Sequence, residues 1–230
     1  MRIAIVSDIH GNLDALEAVV ADVRHCAPDL VVHGGDLADA GAMPVETVDR
    51  MRDLGWSGVM GNTDEMLVRP EAAPAALWAS VREMADWTRD ALGAERLEWL
   101  SSLAPALRFD DFALVHASPQ SCWRAPGLHA TDAELNEVYG PLGRPVAIYG
   151  HIHVPFLRAT GSMTVANAGS AGMPYDGDPR ACYLLLDDGN PTIRRVAYDV
   201  DTACTRLLVS GLPYADWVAG MLRAGVPSLP

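Results

Sequence analysis

The sequence predicts an α/β fold in which two sheets face one another within one domain spanning residues 1–230. Three observations lead there. The first sixty or so residues alternate short β-branched runs with amphipathic segments, an order that requires parallel strands joined by crossover helices. The later part is built instead of paired short runs separated by turn residues, the pattern of hairpins. Both parts end their strands in Asp, His or Asn beside glycine, so both sheets deliver the same kind of residue to one place.

The elements follow in order. Ile3 to Val6 is short, β-branched and stopped by Ser7-Asp8, which reads as a buried strand. Asn12 suits a helix N-cap, and Leu13, Leu16, Val20 and Val23 recur at helical spacing until Pro28-Asp29. Leu30 to His33 is the next strand, running into Gly34-Gly35-Asp36. Pro44 opens a second helix with Val45, Val48, Met51 and Leu54 on its inner stripe. A third strand near Gly58-Val59-Met60 leads to Gly61-Asn62. Residues 74–103 read as helical, interrupted at Gly93, with Trp78, Trp87 and Trp99 as packing residues. Hairpins are expected at Ala106–Val115, Phe156–Ala166 and Cys182–Tyr198, the last turning on Asp188-Gly189. Thr131 and Glu134 form a capping box for a short helix, Val146 to Tyr149 is a strand, and Leu207-Leu208 and Trp217–Leu222 mark outer helices.

Composition narrows the function. Half the residues are hydrophobic and a fifth are charged, which is ordinary for a globular protein. A net charge of −13 opposes stable binding to nucleic-acid backbones or anionic membranes, although bound cations would still admit a phosphate ester. The four cysteines, Cys26, Cys122, Cys182 and Cys204, are scattered and read as reduced thiols. The apolar run at Ile3–Val6 is too short for a signal peptide or a span, and no later run reaches spanning length. A cytoplasmic location is therefore expected.

The chemistry sits in four motifs and one isolated histidine. They are Asp8-x-His10, Gly34-Gly35-Asp36, Gly61-Asn62-Thr63-Asp64, His116 and Gly150-His151-Ile152-His153. Carboxylate, imidazole and side-chain amide together suit divalent ions such as Mn²⁺, Fe²⁺ or Zn²⁺. Taken singly, each residue has a bland explanation as a core histidine or a turn aspartate. Seven such donors at strand ends (Asp8, His10, Asp36, Asn62, His116, His151 and His153) point instead to a binuclear site. In an extended segment, Asp8-x-His10 and His151-x-His153 would each place two side chains on one side. The neighbouring glycines allow a sharp turn and a close backbone approach.

On these residues the chain resembles the calcineurin-like metallophosphoesterases, in particular their small cytosolic bacterial and archaeal branch. The family pattern D-x-H, G-D, G-N-H-[DE], H and G-H-x-H is matched in order across nearly the whole sequence. The segment from Asn167 through Arg180 also resembles the loop that follows the last metal motif in this branch. The resemblance implies a four-layer α-β-β-α sandwich of two mixed sheets flanked by helices. It further implies one ion on Asp8, His10, Asp36 and His153, a second on Asp36, Asn62, His116 and His151, and Asp36 as the bridge. Mn²⁺ leads as the ion, with Fe²⁺, Zn²⁺, Ni²⁺ or Mg²⁺ as alternatives. The implied reaction is attack on phosphorus by a hydroxide shared between the ions, hydrolysing a small-molecule or nucleotide ester.

One position departs from the pattern. The family's third-motif histidine is replaced by Thr63, whose hydroxyl cannot act as a general acid near neutral pH. That change favours phosphodiesters, or esters with acidic leaving groups, over phosphomonoesters and phosphoproteins. Asp36, Asn62, Thr63 and Asp64 are the candidate catalytic residues, and Asn62 and Arg124 the candidate substrate contacts. Trp123 is a candidate stacking surface, whereas His129 reads as a surface residue and Arg180 as a salt-bridge partner. His33 falls on the opposite strand face from Asp36 and reads as structural; His25 suits a helix C-terminus. A non-catalytic scaffold is the alternative from another class, opposed by the intact donor set. A structural zinc site is opposed by the absence of cysteine from that set. Oligomeric state is open.

Overall fold

The first apolar run forms β1 (Arg2–Val6), and the computed structural model, which describes residues 1–229, builds a five-stranded sheet around it. Strand β1 pairs in parallel with β2 (Leu30–His33), and β2 in parallel with β3 (Ser57–Gly58). The crossovers are α1 (Leu13–Cys26) and α2 (Pro44–Leu54). Asn12 caps α1 by accepting from Ala15 N at 3.1 Å, and Pro44 stands at the start of α2. On the other side of β1 lie β9 (Ala181–Asp187) and β10 (Asn190–Val196), an antiparallel pair joined at Asp188 and Gly189, both with positive φ.

The second sheet runs β4 (Ala106–Arg108), β5 (Phe112–Val115), β6 (Val146–Tyr149), β8 (Thr164–Asn167) and β7 (Phe156–Ala159). It too is mixed, with β5, β6 and β8 parallel and both edge pairs antiparallel. Ile3, Ile5, Val32, Leu184 and Leu186 of the first sheet meet Phe112, Leu114, Val146 and Ile148 of the second in a shared apolar layer. The outer face of the first sheet, including Ala4, Val6 and Tyr183, packs on α1 and α2. The outer face of the second packs on Leu135 and Tyr139 of α5 (Asp132–Tyr139), whose N-terminus is closed by the Thr131–Glu134 box. Helix, sheet, sheet, helix is the four-layer arrangement expected. Helices α6 (Val200–Val209) and α7 (Ala215–Ala224) form a separate apolar cluster with Met84 and Met173.

One element is unforeseen in the sequence, and two local expectations need correction. Residues 62–68 form a helix, α3 (Asn62–Val68), that lacks a readable amphipathic repeat. The long helix α4 (Ala79–Ser101) begins later than residue 74, because Pro70 and Pro74 lie ahead of it and Pro74 closes a turn with Leu77. Strand β3 covers only two residues, and Val59 beyond it forms an isolated parallel bridge to Ala104.

Candidate metal centre

Every donor motif lies where a strand ends and the backbone must turn. Asp8 and His10 follow β1, Asp36 follows β2, Asn62 opens α3 after β3, His116 follows β5, and His151 and His153 follow β6. Asp8, His10, Asp36, His151 and His153 have φ between 51° and 65°, the left-handed region that L-residues avoid. The expected extended geometry of the two x-separated pairs is therefore wrong. Each pair folds through left-handed turns, and the two histidines of the second pair face different donor groups. Such strain costs roughly 1–3 kcal/mol per residue, and the surrounding bonds must supply it. They are present: Asp8 N donates to Gly35 O at 3.0 Å, His10 N to Asp36 O at 3.0 Å, and Tyr175 N to His153 O at 3.0 Å.

One donor group comprises Asp8, His10, Asp36 and His153, whose ligand atoms all lie within 4.8 Å of one another and are buried. His10 Nε2 is 3.2 Å from His153 Nε2, which is 3.2 Å from Asp8 Oδ1. The other group gathers about Asn62: its amide oxygen is 2.9 Å from His116 Nε2 and 2.7 Å from His151 Nδ1. Asp36 Oδ2 belongs to both, at 3.6 Å from His10 Nε2 and 3.4 Å from His116 Nε2.

The donor chemistry fits cations. Three imidazoles bond through Nδ1 to backbone carbonyls: His10 to Asp39 at 2.9 Å, His116 to Gly34 at 2.7 Å and His153 to Met173 at 2.6 Å. This outer contact orients each ring and turns Nε2 towards the cluster, the arrangement that metal-binding histidines adopt. An amide oxygen facing two imidazole nitrogens gains a partner from a cation between them or from a proton on either ring. With the amide turned over, its NH₂ would donate to both rings and to Asp36 instead.

The electrostatics reflect how closely carboxylates and imidazoles are packed. Burial pushes Asp36 up, but His116 and His10 beside it hold the carboxyl far below its usual range. Asp8 is likewise lowered against its burial, chiefly by His153. His151, desolvated and next to His116, is pushed down to about 4. His116 is raised to about 10 despite burial, because Asp36 and Asp8 favour its charged form.

The glycines earn their places by contact. A Cβ at Gly61 would overlap the Asp36 carboxylate, and one at Gly150 would overlap Ser7 and Asp8. Asp64 is fully buried and faces the backbone rather than the donors, accepting from Asp36 N at 2.8 Å, Leu37 N at 2.9 Å and Gly61 N at 3.0 Å. Thr63 donates its backbone N–H to Asp36 Oδ1 at 2.9 Å, while its Oγ1 is buried without a partner. Arg124 and His129 are exposed and line a neighbouring groove that contains none of the seven donors. Arg180 pairs with Asp178 at 2.6 Å.

Several supporting residues went unread in the sequence. Ser170 Oγ donates to Asp8 O at 2.7 Å, and Ala171 N to Ser7 O at 2.8 Å, so the segment after β8 braces the first donor turn. In the sequence, only the family resemblance singles out the Asn167–Ser170 stretch. Glu65 accepts from Trp123 Nε1 at 2.7 Å and Cys122 Sγ at 3.0 Å, tying α3 to the loop after His116. A glutamate in a helix's first turn carries no local signal of such a tie.

Comparison with known proteins accords with this geometry. The model of the calcineurin-like phosphoesterase superfamily domain matches residues 1–189. An uncharacterised protein of Methanocaldococcus jannaschii is 29% identical over 97% of this chain and 98% of its own length. The phosphodiesterase YfcE of Escherichia coli K12 is 25% identical over 82% of the chain and 88% of its own. A metallophosphoesterase from Sphaerobacter thermophilus superposes with a TM-score of 0.84 at 29% identity, covering 98% of this chain and 99% of that one.

Proposed function

Because the chain belongs to the calcineurin-like phosphoesterase superfamily, and is thereby a metal-dependent phosphoric ester hydrolase, we propose that it cleaves phosphodiesters of small molecules or nucleotides with two divalent ions. The observation that carries the reading is Asp36 Oδ2, within 3.6 Å of imidazole nitrogens from both donor groups. Asp8, His10, Asp36 and His153 would hold one ion, and Asp36, Asn62, His116 and His151 the other. Two such ions supply a nucleophile active near neutral pH and positive charge for the phosphoryl oxygens. Mn²⁺ suits the mixture of carboxylate, imidazole and amide.

The chain's own residues set the rest. Two inward carboxylates and four imidazoles leave one anionic subsite, where the ester's phosphate replaces solvent. Asn62, partly exposed at the edge of the cluster, would meet an entering oxygen. Thr63 can donate a hydrogen bond but cannot deliver a proton to a departing alkoxide. Esters that leave as stable anions are therefore preferred, and diesters over monoesters. The reading treats residues 1–230 as one domain, supported by the apolar layer both sheets share. Among the described residues no helix is long and apolar enough to cross a membrane.

Assay of the Mn²⁺-loaded protein against bis(p-nitrophenyl) phosphate and p-nitrophenyl phosphate tests the proposal. The diester should be hydrolysed faster; the reverse order would favour a phosphatase, and inertness to both with ions bound would favour a scaffold. Asp36→Asn should lower turnover by more than about 100-fold and weaken both ions. Thr63→His should raise monoester hydrolysis relative to diester hydrolysis.

A further inference from the structure

Beside the second donor group, the wall of α3 and the loop 116–123 enclose a groove of about 460 Å³ that reaches His116. Its volume lies in the range of small-molecule sites. Among the described residues that line it, the charged side chains other than His116 are Glu65 and Arg69. Those two neutralise one another, with Arg69 Nη2 donating to Glu65 Oε1 at 2.5 Å. The other carboxylate oxygen of Glu65 accepts from Trp123 and Cys122 on the opposite wall, at 2.7 and 3.0 Å. The two walls are thus held together by one buried-edge carboxylate, and the groove is formed before anything enters it. What remains to meet a ligand is neutral: Met60 and Leu103 are apolar, and Ser118 and Gln120 are uncharged hydrogen-bonding groups.

We propose that this groove is the subsite for the organic group of the phosphoester, and that it takes an uncharged, nucleoside-sized alcohol in preference to a second anion. The proposal rests on the phosphoesterase reading and gives it a substrate class. An anion placed there would meet Glu65 together with Arg69, whose charge that carboxylate already offsets, so the half-exposed pair offers it little net attraction. A neutral group with one flat face and a few hydroxyls buries against Met60 and Leu103 while Ser118 and Gln120 accept and donate. The preformed walls lower the ordering cost of that binding.

The test compares two diesters with the same leaving group, thymidine 5′-(p-nitrophenyl phosphate) and methyl p-nitrophenyl phosphate, on the Mn²⁺-loaded protein. The nucleoside ester should show a KM at least tenfold lower, and a 3′-phosphate on the thymidine should raise that KM again. Gln120→Trp and Leu103→Trp fill the groove from different walls, and each should reduce the nucleoside preference at least fivefold. Leu157→Trp, on the exposed edge strand β7 outside the groove, should not change it. Calorimetric binding of thymidine 5′-monophosphate should weaken in the two filling variants, with inorganic phosphate binding unaltered. Equal KM for the two diesters, a preference for the 3′-phosphorylated ester, or an undiminished preference in both variants would overturn the subsite. Failure to turn over either diester with ions bound would instead overturn the reading beneath it.

Discussion

His33 is fully buried with neither ring nitrogen hydrogen-bonded, and its ring lies where a Cβ on Gly58 would be. Burial pushes its pKa down from 6.5 to about 4. The unfolded chain therefore takes up a proton near pH 6.5, while the folded chain resists one until about pH 4. Stability falls as pH drops through that window, by a total of about 3 kcal/mol from this residue. In urea unfolding at pH 7 and pH 4.5, His33→Phe should show a smaller loss between the two than the wild type; an equal loss would assign acid sensitivity elsewhere. Strand parity was enough to separate His33 from Asp36 in the sequence. Residue type and order in the sequence name the seven candidate donors, and the structure brings them close together. Their conformation was not legible. Nothing in Asp-x-His specifies left-handed turns, which arise from bonds to Gly35, Asp36 and other residues distant in the chain.

Helix α3 shows what an element contributes beyond its length. Its seven residues place Asn62 beside the imidazoles and Asp64 beneath the turn that carries Asp36. Asp64 satisfies three buried amides at once, a task that an isosteric amide performs with only one acceptor atom. Asp64→Asn should lower the melting temperature by roughly 5–10 °C. It should also weaken ion binding without altering the diester-to-monoester ratio, as measured by thermal melts and calorimetry with Mn²⁺. A change in that ratio would place Asp64 in the chemistry after all. Longer elements were legible from their periodicity: α1, α2 and α5 begin at the Asn12, Pro44 and Thr131 signals. Helix α3 was not, since seven residues are too few to show a repeat, and of β3 the presence was legible but not its two-residue extent; both are fixed by contacts with Asp36 and His33.

At the scale of the molecule, the donors come from both sheets: Asp8, His10, Asp36 and Asn62 from the first, His116, His151 and His153 from the second. Ions bound between them would bind the folded state alone, so chelation should lower the melting temperature and Mn²⁺ restore it. At a free concentration 100 times Kd, each independent ion adds about 2.7 kcal/mol. Hydrogen exchange should slow at residues 8–10 and 151–153 together on loading; slowing in one sheet only would contradict a shared site. Facing sheets were legible from the change between crossover and hairpin patterns. The return of β9 to the side of β1 in the first sheet was not, because no local signal names a partner so far along the chain. Ile5 pairs with Leu184, although every strand of the second sheet lies between them in the sequence. During synthesis at about 5–20 residues per second, roughly ten seconds or more separate the appearance of β1 from that of its neighbour. Until then one long flank of β1 carries open amides and carbonyls, in a nascent chain whose second sheet must first find its own shape. The ribosome-bound protein is thus most exposed to mispairing along the strand that leads to Asp8, and Leu184 arrives as the closing stitch.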